Sequence, residues 1–127
     1  MSIELNHTIV AASDPQASAQ FLAGILGLQV DPPLAHFTPV TLANQVTLDY
    51  DQSTDPIQSC HYAFLAGDEE FDAAFGRIQD AGIAHFADPG CRQAGQIYHR
   101  SDGCRGVYFR DPDGHLMEIL TRPAFDA

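Results

Sequence analysis

A short pattern, in which an apolar strand carrying a histidine is followed by an aspartate and a helix, occurs twice in this chain. His7 and His61 each lie in a short apolar run, and each is followed seven residues later by an aspartate, Asp14 or Asp68. After both aspartates, apolar side chains recur at helical spacing. The duplication predicts two similar modules, each built from a strand, a helix and further strands.

The predicted helices carry boundary signals of their own. Asp14 is placed to cap the first helix, and Pro15 suits its first position because proline has no N–H to leave unpaired. Asp68 is the corresponding predicted cap of the second helix. Gly27 and Gly82 follow the last apolar positions, where glycine commonly ends a helix.

The end of each module is predicted to be a strand. In the second half, residues 107–110 are rich in β-branched and aromatic side chains, residues 111–114 read Asp-Pro-Asp-Gly, and residues 116–121 form a returning apolar run. Proline at the second position and glycine at the last are typical of a turn, so this segment predicts a β-hairpin. Residues 46–50 occupy the equivalent place in the first half, and the extra residues of the second half fall within 88–103.

Glu118 lies on the returning strand of that hairpin. It shares a face with Leu116 and Leu120 by the two-residue period of a strand, while Met117 and Ile119 share the other face. If the face of Glu118 is buried, the carboxylate requires a partner, and a metal ion or a cation is the natural candidate. If the face of Met117 is the buried one, Glu118 is exposed to water.

Two such halves, with a histidine on each first strand, an acid on the last strand and the Asp-Pro-Asp-Gly hairpin, resemble the vicinal oxygen chelate superfamily. That superfamily contains glyoxalases, bleomycin-resistance proteins and extradiol dioxygenases. The resemblance implies an α+β fold in which two βαβββ modules form a cup of curved mixed sheets. On this chain it implies one domain over residues 1–127, with modules at 1–52 and 59–123 and a linker at about 51–58.

The same resemblance implies a metal site formed by His7, His61 and Glu118. Two imidazoles and one carboxylate suit a divalent metal with open positions, so Fe(II) is favoured, with Mn(II), Zn(II) or Ni(II) as further possibilities. Because a curved sheet needs a facing sheet, which the superfamily provides within a chain or across a dimer, we expect a homodimer.

A narrower resemblance is to the signature of extradiol ring-cleavage dioxygenases. It rests on residues at the spacing of that signature, namely Ile97, His99, Val107, Tyr108, Asp111, Pro112, Gly114 and Glu118. It implies that Tyr108 hydrogen-bonds an oxygen of a catechol-like substrate and that His99 lines the substrate pocket. The longer enzymes of this type have an additional catalytic histidine shortly before the second metal-binding histidine. This chain departs from that pattern, since no histidine lies between His36 and His61.

Other functions of the superfamily remain alternatives. Asp49 either supplies an oxygen near the metal, as in glyoxalase-like lyases, isomerases or thiol transferases, or faces solvent. Arg92 and Arg105, near the long connection, either hold an anionic substrate or are solvated residues that offset an acidic surface. A bleomycin-resistance-like protein would use the same cup to bind a drug without turnover.

The charge balance narrows the class of partner. The net charge is −11, and all six basic residues are arginines in the second half of the chain. Such a field repels nucleic acids and anionic membranes, so we expect a small-molecule substrate and neither of those partners. No secretory signal or membrane-spanning run is recognisable near the N-terminus or elsewhere, which predicts a cytoplasmic protein.

Overall fold

A computed structural model describes residues 2–124 of the chain. The residues up to Ile57 form one compact unit and those from Gln58 form another. The first unit contains β1 (His7–Ala12), α1 (Pro15–Leu26), β2 (Thr38–Thr41) and β3 (Thr47–Gln52). The second contains β4 (His61–Leu65), α2 (Asp68–Asp80), β5 (His85–Phe86), β6 (Tyr98–His99), β7 (Arg105–Arg110) and β8 (Leu116–Leu120).

The three strands of the first unit form one sheet in the order β1-β3-β2. β1 and β3 are parallel, β2 and β3 antiparallel. The predicted boundaries of α1 are confirmed: the Ala17 N–H donates to Asp14 Oδ1 at 3.2 Å, and Pro15 is the first helical residue. Gly27 ends the helix with φ of 73°, a left-handed conformation that glycine adopts without steric cost.

The second unit is a five-stranded sheet with α2 on one face. Its order is β4-β8-β7-β5, and β6 pairs with β7 alongside that path. β4 and β8 are parallel, whereas β7 and β8 form the predicted antiparallel hairpin. Residues 111–114 make its turn, since the Asp111 N–H donates to the His115 carbonyl at 3.0 Å and Gly114 adopts φ of 85°.

The start of α2 differs from the sequence prediction. Gly67 occupies the capping position, with φ of −68° and ψ of 166°, and no side chain caps the helix there. Asp68 is instead the first helical residue, and its Oδ1 accepts a bond from the Arg105 guanidinium at 3.1 Å. The carboxylate that was predicted to cap the helix therefore ties it to β7.

One face of the second sheet forms a core with α2. Arg105 on β7 lies 4.7 Å from the ring centre of Phe71 on α2, which fixes the side of the sheet that the helix covers. By the two-residue period, Phe109 shares that side of β7 with Arg105 and pairs with Met117 of β8. Phe71, Phe109 and Met117 are all fully buried, and Ile119 is 1% exposed. The face of Met117 and Ile119 is thus the core face.

Asp111 holds the hairpin turn from the inside. It is 5% exposed, and its Oδ1 accepts the N–H of His115 at 2.9 Å and that of Asp113 at 3.0 Å. Burial raises the pKa of its carboxyl group. We expect Asp111→Ala to lower the free energy of unfolding by about 1–3 kcal/mol, because the buried N–H of His115 and the partly buried N–H of Asp113 lose their acceptor. Urea unfolding measures this. Asp111→Asn retains the acceptor oxygen and should lie closer to the wild type; equal losses for both variants would contradict this role.

The α+β fold class is confirmed, with two differences of detail. In the first unit, the strand expected directly after α1 is reduced to a single bridge between Val30 and Val40. β3 also continues to Gln52, two residues into the predicted linker, because Ala11 and Ala12 of β1 pair with Asp51 and Gln52. Over residues 2–124, no helix has the length and apolar character required to cross a membrane.

Candidate functional site

Three of the predicted site residues meet on the sheet face opposite α2. Glu118 of β8 is in register with Ala63 of β4 on one side and with Tyr108 of β7 on the other. Side chains of paired residues point to the same face, and so do those of residues two apart along a strand. His61, two residues before Ala63, therefore lies on the same face as Glu118 and Tyr108.

The imidazole of His61 is held in one orientation. Its Nδ1 lies 3.0 Å from the carbonyl oxygen of Leu116, which can only accept a hydrogen bond, so Nδ1 carries a proton. Its Nε2 lies 3.1 Å from Glu118 Oε1. In the neutral imidazole, that arrangement directs the lone pair of Nε2 toward a carboxylate oxygen. A cation between the two atoms, or a second proton on the ring, would relieve the repulsion.

Glu118 is shielded from water without a guanidinium partner. It is 7% exposed, and its Oε2 accepts a hydrogen bond from the Tyr98 hydroxyl at 2.6 Å. No arginine forms an ion pair with Glu118 in the part of the chain that the structure describes, and the sequence contains no lysine. Because a buried carboxylate needs compensating charge, this environment favours a positive ion at Oε1.

Two tyrosines adjoin the carboxylate. The ring centres of Tyr98 and Tyr108 are 5.7 Å apart, and that of Tyr108 lies 6.1 Å from the ring of His61. Burial, reinforced by the hydrogen bond to Glu118, raises the pKa of Tyr98 well above its usual value. Burial and the nearby Glu118 charge raise the pKa of Tyr108 to about 12. Both hydroxyls are therefore protonated at neutral pH and can donate hydrogen bonds.

A shallow cavity of about 290 Å³ opens beside this group. Its lining combines aromatic, aliphatic and ionisable side chains: Ala87, Tyr98, Arg100, Tyr108, Glu118, Leu120 and Ala124. The Arg100 guanidinium is already engaged, since it forms an ion pair with Asp102 and donates to the Pro123 carbonyl at 2.9 Å. Among the residues that the structure describes, the cavity thus has apolar walls, two phenol groups and a carboxylate, and the positive charge of Arg100 is neutralised by Asp102.

Comparison with known proteins identifies the family to which this fold and site belong. The profile of the Glyoxalase/Bleomycin resistance protein/Dioxygenase superfamily matches residues 4–119. The chain belongs to this superfamily. The resemblance inferred from the repeated histidine strands and the Asp-Pro-Asp-Gly hairpin is confirmed.

Individual members are similar over most of their length. A solved structure named oxidase ChaP-H2 is 55% identical, with a TM-score of 0.93 over 97% of this chain and 96% of that one. Glutathione transferase FosA of Serratia marcescens is 31% identical over 121 residues, which cover 91% of this chain and 78% of that protein. Metallothiol transferase FosB of Shouchella clausii (strain KSM-K16) is 29% identical over 92% of this chain and 79% of that protein.

The remaining predicted metal ligand, His7, belongs to the first unit. It is exposed at the start of β1, and its Nδ1 lies 2.8 Å from Asn6 Oδ1. Asp49 of β3 pairs with Ile9 of β1, so it lies on the face of the first sheet that carries His7. Asp49 is only 9% exposed, although the same sheet face carries the exposed His7 and Ile9, and Pro39 of β2 pairs with it from the other side.

Tyr98 is a site residue that the sequence pattern did not indicate. The strand β6 contains only Tyr98 and His99, whose side chains point to opposite faces. Tyr98 faces Glu118 and the cavity, whereas His99 is exposed and is not among the lining residues. The available signal was Gly106, since a glycine inside a strand often marks a close approach by another group. Tyr98 pairs with Gly106.

Arg92 and Arg105, the two arginines considered as candidates to hold an anionic substrate, do not line the cavity. The Arg105 guanidinium donates to Asp72 Oδ1 at 2.6 Å and to Asp68 Oδ1 at 3.1 Å, on the α2 side of the sheet. Arg92 is exposed, and its backbone N–H donates to Asp88 Oδ1 at 2.9 Å. The structure therefore gives Arg105 a role in attaching the helix and does not bring either arginine to the cavity.

The side chains of the site include two donor atoms with the spacing that a divalent metal requires. Within residues 2–124, no three histidine, cysteine or acidic side chains are gathered closely enough to hold an ion. The second unit supplies two donors, His61 Nε2 and Glu118 Oε1, at 3.1 Å. Two ligands at about 2.1 Å from one metal, at a right angle, lie about 3 Å apart. The spacing of these two atoms is therefore compatible with a shared divalent ion, which would take its further ligands from other residues or from the substrate.

Proposed function

We propose that this protein is a divalent-metal-dependent oxidoreductase of the extradiol-dioxygenase type that acts on a catechol-like small molecule. The observation that carries the proposal is the convergence of His61 Nε2 and Glu118 Oε1, 3.1 Å apart, on the sheet face that also carries Tyr108. In such a reaction both atoms of dioxygen enter the substrate as a ring carbon–carbon bond breaks, so no separate reductant is required.

His7, His61 and Glu118 are the proposed ligands of the metal. Fe(II) suits this set best, because two imidazoles and one carboxylate leave positions open, and Mn(II), Zn(II) or Ni(II) are further candidates. When bound, the metal would supply Lewis acidity and binding positions for two neighbouring substrate oxygens. Asp49 shares a sheet face with His7 and is the proposed additional oxygen contact.

The cavity lining supports an aromatic substrate in this proposal rather than an anionic one. Ala87 and Leu120 provide apolar surface, and the rings of Tyr98 and Tyr108 can pack against a planar substrate. The Tyr108 hydroxyl remains protonated and can donate a hydrogen bond to a substrate oxygen that gains negative charge. Arg100 is held by Asp102, so it offers little free positive charge to a phosphonate or carboxylate.

The second candidate is a thiol transferase. It is favoured by the 31% identity to the glutathione transferase FosA over 91% of this chain. The higher identity to oxidase ChaP-H2, at 55%, supports the oxidoreductase instead. In the thiol-transferase alternative, the same metal would activate an electrophile such as an epoxide, and a bound thiol would attack it.

A paired assay separates these candidates. Protein purified without chelators is analysed for metal and then reloaded with Fe(II). Oxygen consumption with a panel of catechols supports the dioxygenase proposal. Conversion of an epoxide with glutathione, without oxygen consumption, would replace it with the transferase. If neither reaction occurs but a hydrophobic drug binds tightly, the protein is a binding module of the bleomycin-resistance kind.

Tyr108→Phe should slow catechol turnover while the metal content stays constant. The variant removes one hydrogen bond to a charged substrate oxygen, worth about 1.5–3 kcal/mol, or roughly ten- to more than a hundredfold in rate. Oxygen consumption by the iron-loaded protein measures the effect. Tyr62→Phe is the matched control, because Tyr62 points to the opposite face of β4 and makes an edge-to-face contact with the ring of His115. A wild-type rate in Tyr108→Phe would remove Tyr108 from the reaction.

We also propose that the protein is a homodimer. Several large apolar side chains are strongly exposed, at 102% for Ile3, 67% for Leu5, 53% for Ile9 and 62% for Leu65. A second copy would cover such surface, as sheets of this superfamily are covered within a chain or across a dimer. Sedimentation at micromolar concentration should give about twice 13.8 kDa, and a monomer that still binds metal would contradict the dimer.

Mixing two inactive variants tests whether His7 comes from the second copy. If it does, a heterodimer of His7→Ala and His61→Ala contains one intact site and one doubly altered site. Random exchange of subunits should then restore about a quarter of the wild-type activity. If His7 and His61 of one chain share a site, mixing restores nothing.

A further inference from the structure

Tyr98 is hydrogen-bonded to the proposed metal ligand Glu118. Its hydroxyl donates to Glu118 Oε2 at 2.6 Å, while His61 Nε2 faces the other oxygen, Oε1, at 3.1 Å. A carboxylate can bind a metal through one oxygen or both. The phenol occupies one of the two oxygens, so Oε1 is the oxygen left facing His61.

The approach of Tyr98 depends on Gly106. A Cβ atom at position 106 would lie 1.9 Å from Tyr98 Cζ and 2.2 Å from its hydroxyl oxygen, far inside van der Waals contact. Glycine is ordinarily unfavourable in the middle of a strand, and Gly106 has no positive φ that would require it. The space above its Cα is therefore what the glycine supplies, and the Tyr98 ring fills that space.

We propose that Tyr98 is a positioning residue that fixes Glu118 as a one-oxygen metal ligand, and that Gly106 admits it to this place. The inference rests on the proposed function, since it presupposes that His61 and Glu118 bind a metal. Hydrogen bonds to the second oxygen of a ligand carboxylate orient the ligand and strengthen binding, and their loss typically costs ten- to a hundredfold in affinity. Tyr98 acts through Glu118, whereas Tyr108 is the phenol proposed to donate to the substrate.

Tyr98→Phe tests this directly, because it keeps the ring over Gly106 and removes only the hydroxyl. Titration of the metal-free protein with Mn(II) or Co(II) should show affinity about ten- to a hundredfold weaker than the wild type. The visible spectrum of the Co(II)-loaded variant should also change in band position and intensity, because the freed Oε2 can join the coordination. A purely structural tyrosine would not alter that spectrum.

The controls separate failure of this inference from failure of the proposed function. Tyr62 lies on the opposite sheet face, so the Tyr62→Phe variant should bind metal as the wild type does. Wild-type affinity and an unchanged Co(II) spectrum in Tyr98→Phe, while His61→Ala loses metal, would overturn the role of Tyr98 alone. Metal binding that is absent in the wild type or unaffected in His61→Ala would overturn the proposed function itself. If Tyr98→Phe does not fold, Tyr98→Met fills the space above Gly106 without a donor and should show the same loss.

Discussion

Replacement of His61 by alanine should remove stoichiometric metal from the protein. Its Nε2 is one of the two donor atoms that converge at 3.1 Å, and the Leu116 carbonyl already fixes the ring in the orientation needed for binding. Four ligands of a structural zinc site together contribute about 10–16 kcal/mol, so each is worth about 3 kcal/mol. Loss of one ligand should weaken the affinity by at least about a hundredfold. Metal analysis after gel filtration, followed by titration of the metal-free protein, measures both quantities.

The His61→Ala result is compared with one control variant, His36→Ala, and with variants of the other two proposed ligands, His7 and Glu118. His36→Ala is the control, because the His36 side chain is 68% exposed and its only ionic contact within residues 2–124 is a 3.6 Å approach to Asp51. Glu118→Ala and His7→Ala should lose metal as His61→Ala does. Retention of stoichiometric metal by all three variants would show that the proposed ligand set is wrong, whatever activity the protein has.

The parts of the fold that follow local rules could be predicted from the sequence. Asp14 and Gly27 define the ends of α1 through contacts within a few residues, and the Asp-Pro-Asp-Gly turn is equally local. The start of α2 could not be predicted in the same way. Aspartate is a common helix-capping residue, but the carboxylate of Asp68 accepts a hydrogen bond from Arg105, which is distant in the sequence. Tertiary contact overrode a local preference there.

The environment of Glu118 shows a second limit of sequence patterns. The two-residue period correctly places Glu118 on one face of β8 and Met117 and Ile119 on the other. It does not indicate that both faces of the strand are covered, which is what the structure shows. Met117 and Ile119 lie in the core with α2, at 0% and 1% exposure, yet Glu118 is only 7% exposed. Its cover comes from Tyr98, on a two-residue strand after a long connection. A strand that short has no period from which its facing side chain could be inferred.

The shortness of β6 also explains why the sequence indicated His99 as a pocket residue, whereas the structure places Tyr98 there. The dioxygenase signature directs attention to His99, which the structure places on the exposed side of β6. The information that favours Tyr98 is distributed over two residues, the tyrosine and Gly106, which become neighbours only when β6 pairs with β7. Pairing of distant segments is the step that composition and local spacing do not determine.

Gly106→Ala should destabilise the protein and weaken its metal site together. The new Cβ would lie 1.9 Å from the Tyr98 ring, so either the ring leaves Glu118 or β7 shifts. Overpacking of this kind costs about 1–3 kcal/mol, and occasionally more. Urea unfolding of the metal-free protein gives the free energy of unfolding, and Mn(II) titration gives the accompanying loss of affinity.

Gly76→Ala is the matched control for this substitution, since Gly76 lies inside α2 and an added Cβ there meets nothing within 4 Å. Alanine is the better helix former, so this variant should gain about 0.5–1 kcal/mol, a change of opposite sign. The cause can be isolated with Tyr98→Ala, which empties the space that the new Cβ needs. In that background Gly106→Ala should cost much less, with a coupling of about 1–3 kcal/mol between the two positions. An equal cost with and without the Tyr98 ring would place the strain in the β7 backbone and show that Gly106 does not serve to admit Tyr98.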